Sequence, residues 1–196
     1  MHKPKIKCTF SFYYYKMSYC NYCHQLPSTD LNRIYHDQHY GFLIEDDNEL
    51  FGRLILEINQ AGLSWATILK KEENFRIAFD HFSIAKIADY TQDKVDELMQ
   101  DAGIIRNKLK INAVIHNAQK VKEIQLQHGS FLEWLKLNHP KNKEEWVRLF
   151  KKNFKFVGGE IVNEFFMSIG FLPGAHTKDC LIYVKQQEIN PTWLKH

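Results

Sequence analysis

The sequence predicts an all-α protein, and three observations carry that expectation. Apolar residues recur at helical spacing in one stretch after another, as in Leu50, Phe51, Leu54, Ile55 and Ile58. Cap signatures, a Ser, Asp or Asn followed three residues later by Glu, precede several of those stretches, at Asp46, Ser130 and Asn142. No stretch alternates apolar and polar residues in the way a half-buried strand requires.

Residues 1–16 are expected to be an N-terminal extension, either disordered or lying ahead of a true start at Met17. Basic residues there precede a Tyr-rich patch interrupted by Lys16, with no small-residue cleavage site, which argues against a signal peptide. Residues 18–45 show weak periodicity and read as irregular chain around short helices. Asp46–Glu49 opens the first long helix, and Gly62 ends it as a residue able to take positive φ. Ser64 caps the next helix, expected to run through Trp65, Ile68 and Leu69 towards Phe79. Ser83 and Thr91 are candidate caps for two shorter helices, the second ending near Gly103.

A helix from about Asn107 then puts Ile111, Val114, Ile115, Ala118 and Val121 on one face. Ser130 precedes Phe131, Trp134 and Leu135; Asn142 precedes Trp146, Leu149 and Phe150. Gly158-Gly159 leads a last helix with Ile161, Val162, Phe165, Phe166 and Ile169, closed by Gly170. Residues 17–185 are expected to form one domain of two helical lobes sharing a core. Residues 186–196 are a C-terminal tail with no assigned element.

Bulk composition narrows the class. A formal charge of +3 permits a nucleic-acid partner without demanding one. Four cysteines among 196 residues, with ten histidines, point away from a disulfide framework and towards a reducing, cytoplasmic setting with a metal site. No apolar run approaches a membrane span, and the expected state is a soluble monomer.

Four places carry chemistry. Glu57 lies beside the apolar face of the first long helix, where an acid either finds a partner or has a raised pKa; alternatively it is a solvated acid at the edge of the stripe. Trp65 follows the Ala61-Gly62-Leu63 turn. Cys23 and His36 near the N-terminus, with His176-x3-Cys180 near the C-terminus, supply two thiolates and two imidazoles. That set would fill a tetrahedral zinc shell of the closed, structural kind and tie the two chain ends together; the alternative is a pair of free thiols and surface histidines. Cys20-x2-Cys23 keeps Cys20 open as a competing ligand; otherwise Cys8 and Cys20 are spare thiols. Last, Asp101-Ala102-Gly103-Ile104-Ile105-Arg106-Asn107-Lys108 joins two helices through a short Gly-containing hairpin. Backbone N–H groups at such a turn can hold a phosphate, with Arg106, Lys108 and Lys110 as nearby cations. Lys70, Lys71, Lys151, Lys152 and Lys155 are further candidates.

Gln60-Ala61-Gly62-Leu63-Ser64-Trp65, with Glu57 before it, resembles the DNA-3-methyladenine glycosylase I family. So do Asp101 to Arg106 and Lys155-Phe156-Val157-Gly158. The similarity runs from about Cys23 to Cys180. It implies a helix-hairpin-helix glycosylase fold. The implied reaction is hydrolysis of the N-glycosidic bond of 3-methyladenine in double-stranded DNA, with 3-methylguanine as a second candidate base. Free 3-methyladenine is then the product. The resemblance assigns base recognition to Glu57, stacking to Trp65 and a base contact to Tyr35. It assigns a structural Zn²⁺ to Cys23, His36, His176 and Cys180.

Leu63, at the turn, is the candidate wedge that fills the gap left by an extruded nucleotide; the alternative is a buried hairpin leucine. Tyr40 is a candidate cavity wall, and Gly103, Arg106 and Lys108 are candidate DNA contacts. The chain departs from the family pattern at Gln25, where a Trp commonly stands two residues after the first zinc Cys. It departs again at His39-Tyr40-Gly41, where Glu-Trp-Gly is common; at Ile105 it departs from the general hairpin pattern Gly-x-Gly, so DNA affinity is expected to lean on other contacts. No Asp lies between Asp101 and Asp179, and no lysine nucleophile is evident, so a monofunctional hydrolase is expected. The alternatives are an inactive zinc-tethered DNA-binding module and a zinc hydrolase, the latter disfavoured because four protein ligands leave no position for a reactive water.

Overall fold

A computed structural model describes residues 18–195. The expected N-terminal extension and Cys8 lie outside those residues. Among the described residues every regular element is helical. In chain order they are α1 (Tyr19–His24), α2 (Leu31–Gln38), α3 (Asp47–Gln60), α4 (Trp65–Leu69), α5 (Glu72–Ala78), α6 (Ile84–Ala88) and α7 (Gln92–Gln100). They continue as α8 (Lys108–His128), α9 (Phe131–Asn138), α10 (Lys143–Asn153), α11 (Gly159–Ser168) and α12 (Leu181–Glu188), with short 3₁₀ turns at Asp80–Phe82 and Thr192–Leu194.

The core is organised around α3, which is buried continuously from Leu50 to Asn59. It touches α4, α5, α6, α8, α9 and α11. Gly52 in mid-helix has a packing reason, since a Cβ there would meet the Phe82 ring at 2.3 Å. Phe82 ends a turn in which Asp80, His81 and Phe82 all take positive φ. One apolar cluster runs from Leu50 to Leu172 and includes Trp146 stacked on Phe166 at 4.0 Å between ring centres.

Both ends of α3 are fastened to other helices. Asp47 accepts from the Phe131 and Leu132 amides at the start of α9 (2.7 and 3.0 Å) and from the Gln125 side chain (2.7 Å). At the other end Lys110, buried on α8, donates to the carbonyls of Asn59 (2.9 Å) and Ala61 (2.8 Å). These are carbonyls a helix C-terminus leaves unpaired.

The cap signatures hold in different degrees. Asn142 and Glu145 form the full reciprocal box. Asp46 accepts from the Asn48 and Glu49 amides, but the Glu49 carboxylate turns away to Arg76 (2.5 and 2.6 Å). Ser130 caps through the Glu133 amide at 2.9 Å. Ser83 and Thr91 make no side-chain cap bond, and the Ile84 amide is taken by Asn48 Oδ1 at 2.9 Å instead.

Two expectations need correction. The helix predicted from Ser64 to Phe79 is two helices, α4 and α5, broken at Lys70–Lys71 where neither Gly nor Pro stands. The C-terminal segment is structured: α12 runs across the expected boundary at 185. Gln186 within it is buried and donates to the Gly41 carbonyl at 2.6 Å. The Trp193 amide bonds the Gly170 carbonyl at 3.2 Å.

Candidate active site and metal-binding group

Helix α2 serves two sites, because consecutive residues on it point to different neighbours. Tyr35 faces a cavity of about 390 Å³, lined also by Tyr19, Tyr40, Glu57, Gln60, Trp65, Glu160 and Glu164. His36 faces a group of four metal-ligand side chains.

In the cavity the aromatic rings form a connected wall. Tyr35 lies 4.9 Å from Trp65 and 5.5 Å from Tyr40 between ring centres, and Tyr19 meets Tyr40 edge-on at 5.7 Å. Arg53 on α3 donates to the Tyr35 hydroxyl at 2.8 Å and stacks over its ring at 4.8 Å. A guanidinium can only donate, so the Tyr35 oxygen accepts and its own O–H is left to point elsewhere. The Trp65 indole N–H is buried without a hydrogen-bond partner among the described residues.

Glu57 is 4% exposed, which excludes the reading of a solvated acid. Among the described residues no hydrogen bond reaches its carboxyl. Burial pushes that carboxyl up to about 8; the nearby Arg53 charge opposes the rise and Glu164 adds to it. Glu164, on α11, was not anticipated from the sequence. Tyr40 O–H donates to its Oε2 at 3.1 Å, and burial raises its pKa too, against that hydrogen bond. Its signal was present as Glu160 and Glu164, one turn apart on a helix otherwise rich in Phe and Ile, but the apolar stripe dominated the reading.

A second cavity, of about 370 Å³, shares Tyr35 with the first and is lined by Gln38, His39, Arg53, Glu72 and Arg76 among others. His39 therefore stands behind Tyr35, stacked on it at 6.5 Å, and not among the residues lining the first cavity.

The four buried ligand atoms that lie within 4.8 Å of one another belong to Cys20, His36, His176 and Cys180. Three of the expected residues are present, and Cys20 takes the place expected for Cys23. Both cysteines are on α1, but Cys23 Sγ turns towards the Asn32 carbonyl on α2 (3.5 Å), and burial pushes its thiol up to about 11, partly offset by Tyr19. Cys20 Sγ instead accepts from the Thr177 amide (3.4 Å) and lies 3.9 Å from His176 Nδ1. Burial acts to raise the Cys20 thiol, but its contacts with His176, His36 and the Thr177 amide outweigh it and bring it down to about 5. With Cys20 as the first cysteine, the residue two positions on is Tyr22 rather than Gln25.

The donor set fits a tetrahedral ion. His36 Nδ1 lies 2.6 Å from Asp37 Oδ1, and His176 Nε2 lies 2.8 Å from the Tyr40 carbonyl. Those oxygens accept, so each ring is protonated on that side and turns its other nitrogen, as a lone pair, into the group. The separations inside are 3.3 Å (His176 Nδ1–His36 Nε2), 3.7 Å (Cys180 Sγ–His36 Nε2) and 3.9 Å (Cys180 Sγ–His176 Nδ1). A tetrahedron with bonds of about 2.0–2.3 Å has edges of roughly 3.3–3.8 Å.

On the hairpin side, Leu63 is 39% exposed at the tip after Gly62, which excludes a buried hairpin leucine. The Gly103 amide is taken by Asp101 Oδ1 (2.7 Å), while Arg106 and Lys108 are exposed. Two of the other candidate cations serve the fold. Lys110 holds the end of α3, and Lys71 donates to the Ala102 and Gly103 carbonyls at 2.9 and 3.0 Å. No helix among the described residues is long and apolar enough to cross a membrane.

Comparison with known proteins completes the site. The family model for methyladenine glycosylase matches residues 25–148. The chain is 34% identical to DNA-3-methyladenine glycosylase 1 of Escherichia coli (strain K12) over 186 residues, covering 85% of this chain and 97% of that protein. 3-Methyladenine DNA glycosylase I from Staphylococcus aureus, a structure addressing 3-methyladenine recognition, superposes with a TM-score of 0.74 at 30% identity, covering 84% of this chain and 97% of that one. A Tyr-to-Phe variant of a 3-methyladenine DNA glycosylase I in complex with 3-methyladenine superposes with a TM-score of 0.74 at 31% identity, covering 85% and 97%. With its all-helical fold, its aromatic and acidic cavity and these matches over most of its length, this chain belongs to the methyladenine glycosylase family.

Proposed function

We propose that the protein is a DNA-3-methyladenine glycosylase: it hydrolyses the N-glycosidic bond of 3-methyladenine in alkylated DNA, leaving an abasic site for base excision repair. The observation that carries this is Glu57, a buried acid with no protein partner among the described residues, opening on a cavity walled by Tyr35, Tyr40 and Trp65. Relatives bearing that activity in their names support it.

The chemistry asks for such a cavity. Methylation at N3 makes the purine a cation in DNA, so it leaves readily and needs little general-acid help. What remains is to extrude the nucleotide, choose a cation over a neutral base and admit water. Aromatic faces attract the cation, and the Glu57 carboxylate accepts its N–H groups. In the free protein Glu57 keeps its proton at neutral pH; the incoming positive charge favours its release. The Tyr35 O–H, freed by Arg53, is a donor to a ring nitrogen of the base. The hydrolysis is monofunctional. Leu63, exposed at the turn, fills the gap in the base stack, and the hairpin around Gly103 with Arg106 and Lys108 holds the DNA backbone.

Cys20, His36, His176 and Cys180 hold a structural zinc ion, whose thiolate and imidazole donors suit that metal. It supplies a covalent tie between α1, α2 and the segment before α12, and no step of the hydrolysis passes through it.

Release of free base from methylated duplex DNA, resolved by chromatography, tests the reading. Wild-type protein is expected to release 3-methyladenine. Protein that binds DNA and releases no base overturns the proposal in favour of an inactive DNA-binding module.

A further inference from the structure

Resting on the glycosylase reading, we infer that Glu164 is a second base-recognition acid and sets the preference of the cavity for a cationic purine over a neutral one. The argument begins with its charge. Glu160 and Glu164 lie one turn apart on α11 and both line the cavity, but they are not equivalent. Glu160 is exposed at the rim and ion-paired with Lys143 at 3.0 Å. Glu164 is half-buried; among the described residues no Lys, Arg or His forms an ion pair with it, and Lys143, already paired with Glu160, acts on it only through space. Among the described residues its one hydrogen bond comes from the neutral Tyr40 hydroxyl.

A carboxylate drawn out of water beside a second buried acid, Glu57, weakens the fold unless a positive charge reaches the same space. Arg53, the cation that acts on Glu57, is occupied with Tyr35. A cationic base enters between Tyr35, Tyr40 and Trp65 and is within reach of both acids. The Tyr40 bond meanwhile favours the ionised form of Glu164 and fixes its direction. Tyr40 is itself held through its carbonyl by His176, so the acid is aimed from the metal-binding corner of the molecule. Glu57 lies on α3 and Glu164 on α11, so the two approach the base from different helices and accept from different edges.

The test compares wild type, Glu57→Gln, Glu164→Gln and Glu164→Asp on methylated duplex DNA. It reads kcat/KM for 3-methyladenine release and the inhibition constant of free adenine, a neutral purine. Glu164→Gln keeps the shape and an acceptor for Tyr40 while removing the charge. It is expected to lower kcat/KM by about 10-fold, to leave adenine inhibition within about twofold and to keep or raise the melting temperature. Glu164→Asp, which retains the charge, is expected to fall between it and wild type.

A wild-type protein that releases no base defeats the glycosylase reading itself. An active wild type with Glu164→Gln unchanged defeats the role of Glu164 alone. An equal loss towards 3-methyladenine and adenine, accompanied by a lower melting temperature, assigns Glu164 to the fold and also overturns the inference.

Discussion

The metal-binding corner and the base cavity sit on opposite sides of one helical turn, Tyr35-His36, and treat their polar atoms in opposite ways. In the corner the ligand side chains are answered by the protein: Asp37 and the Tyr40 carbonyl fix the two imidazoles, and the Thr177 amide and the histidines surround Cys20. In the cavity, Glu57 and the Trp65 N–H have no such partner among the described residues, and Glu164 has a neutral one. Buried polar atoms are ordinarily paired. The Trp146 and Trp193 N–H groups are also unpaired among the described residues, but away from this cavity. Around it, unanswered groups of opposite kinds, an acid and an N–H, face one open space that a ligand can complete.

Breaking the corner should have the largest effect. Cys20→Ser is expected to lose bound zinc, measured by elemental analysis, and to lower the melting temperature by about 10 °C or more. Cys23→Ser should keep the metal; if Cys23→Ser loses it and Cys20→Ser does not, the ligand assignment reverts to Cys23. In the cavity, Glu57→Gln should keep the fold and lower 3-methyladenine release on the order of 10²-fold. Full activity in that variant removes Glu57 from the reaction.

The same substitution sharpens the contrast through stability. The Glu57 carboxyl has a pKa of about 8 in the folded protein against 4.5 for the unperturbed group. Between those values the unfolded chain has lost a proton that the folded protein keeps, so stability falls as pH rises through this window and levels off above it. Glu57→Gln removes that slope. Denaturant titrations should find it more stable than wild type at pH 9, on the order of a few kcal/mol, and nearly equal at pH 4. A group satisfied within the fold gives no such gain. Smaller again, Trp65→Ala should weaken binding of free 3-methyladenine by about 10-fold. Unchanged binding returns Trp65 to a packing role.

The helices were legible where local signals suffice. The Asn142 box, the Gly62 stop and the apolar stripes of α3, α8 and α11 are all written within a few residues. What depends on distant partners was not. The break between α4 and α5 has no breaker in the sequence, and Lys71 there turns to carbonyls of a hairpin thirty residues on. The choice between Cys20 and Cys23 is a choice of helix face: the two lie within one turn of α1, and only the arrival of Thr177 and His176 decides between them. Lys110 reads as one more surface cation until α3 ends against it. Glu164 was hidden because a stripe of Phe and Ile is a stronger pattern than a lone acid between them.

The two fastenings of α3 have a mechanical consequence. With Asp47 stapled to α9 and Lys110 locked over the last turn, the helix behaves as a beam clamped at both ends, and Glu57 is carried near one clamp. A free helix end could rotate or fray to return an uncomfortable acid to water. This one has no slack, so the protein bears the desolvation of Glu57 until a cation relieves it. The amides in the middle of α3 should accordingly be the last in the molecule to exchange with deuterium.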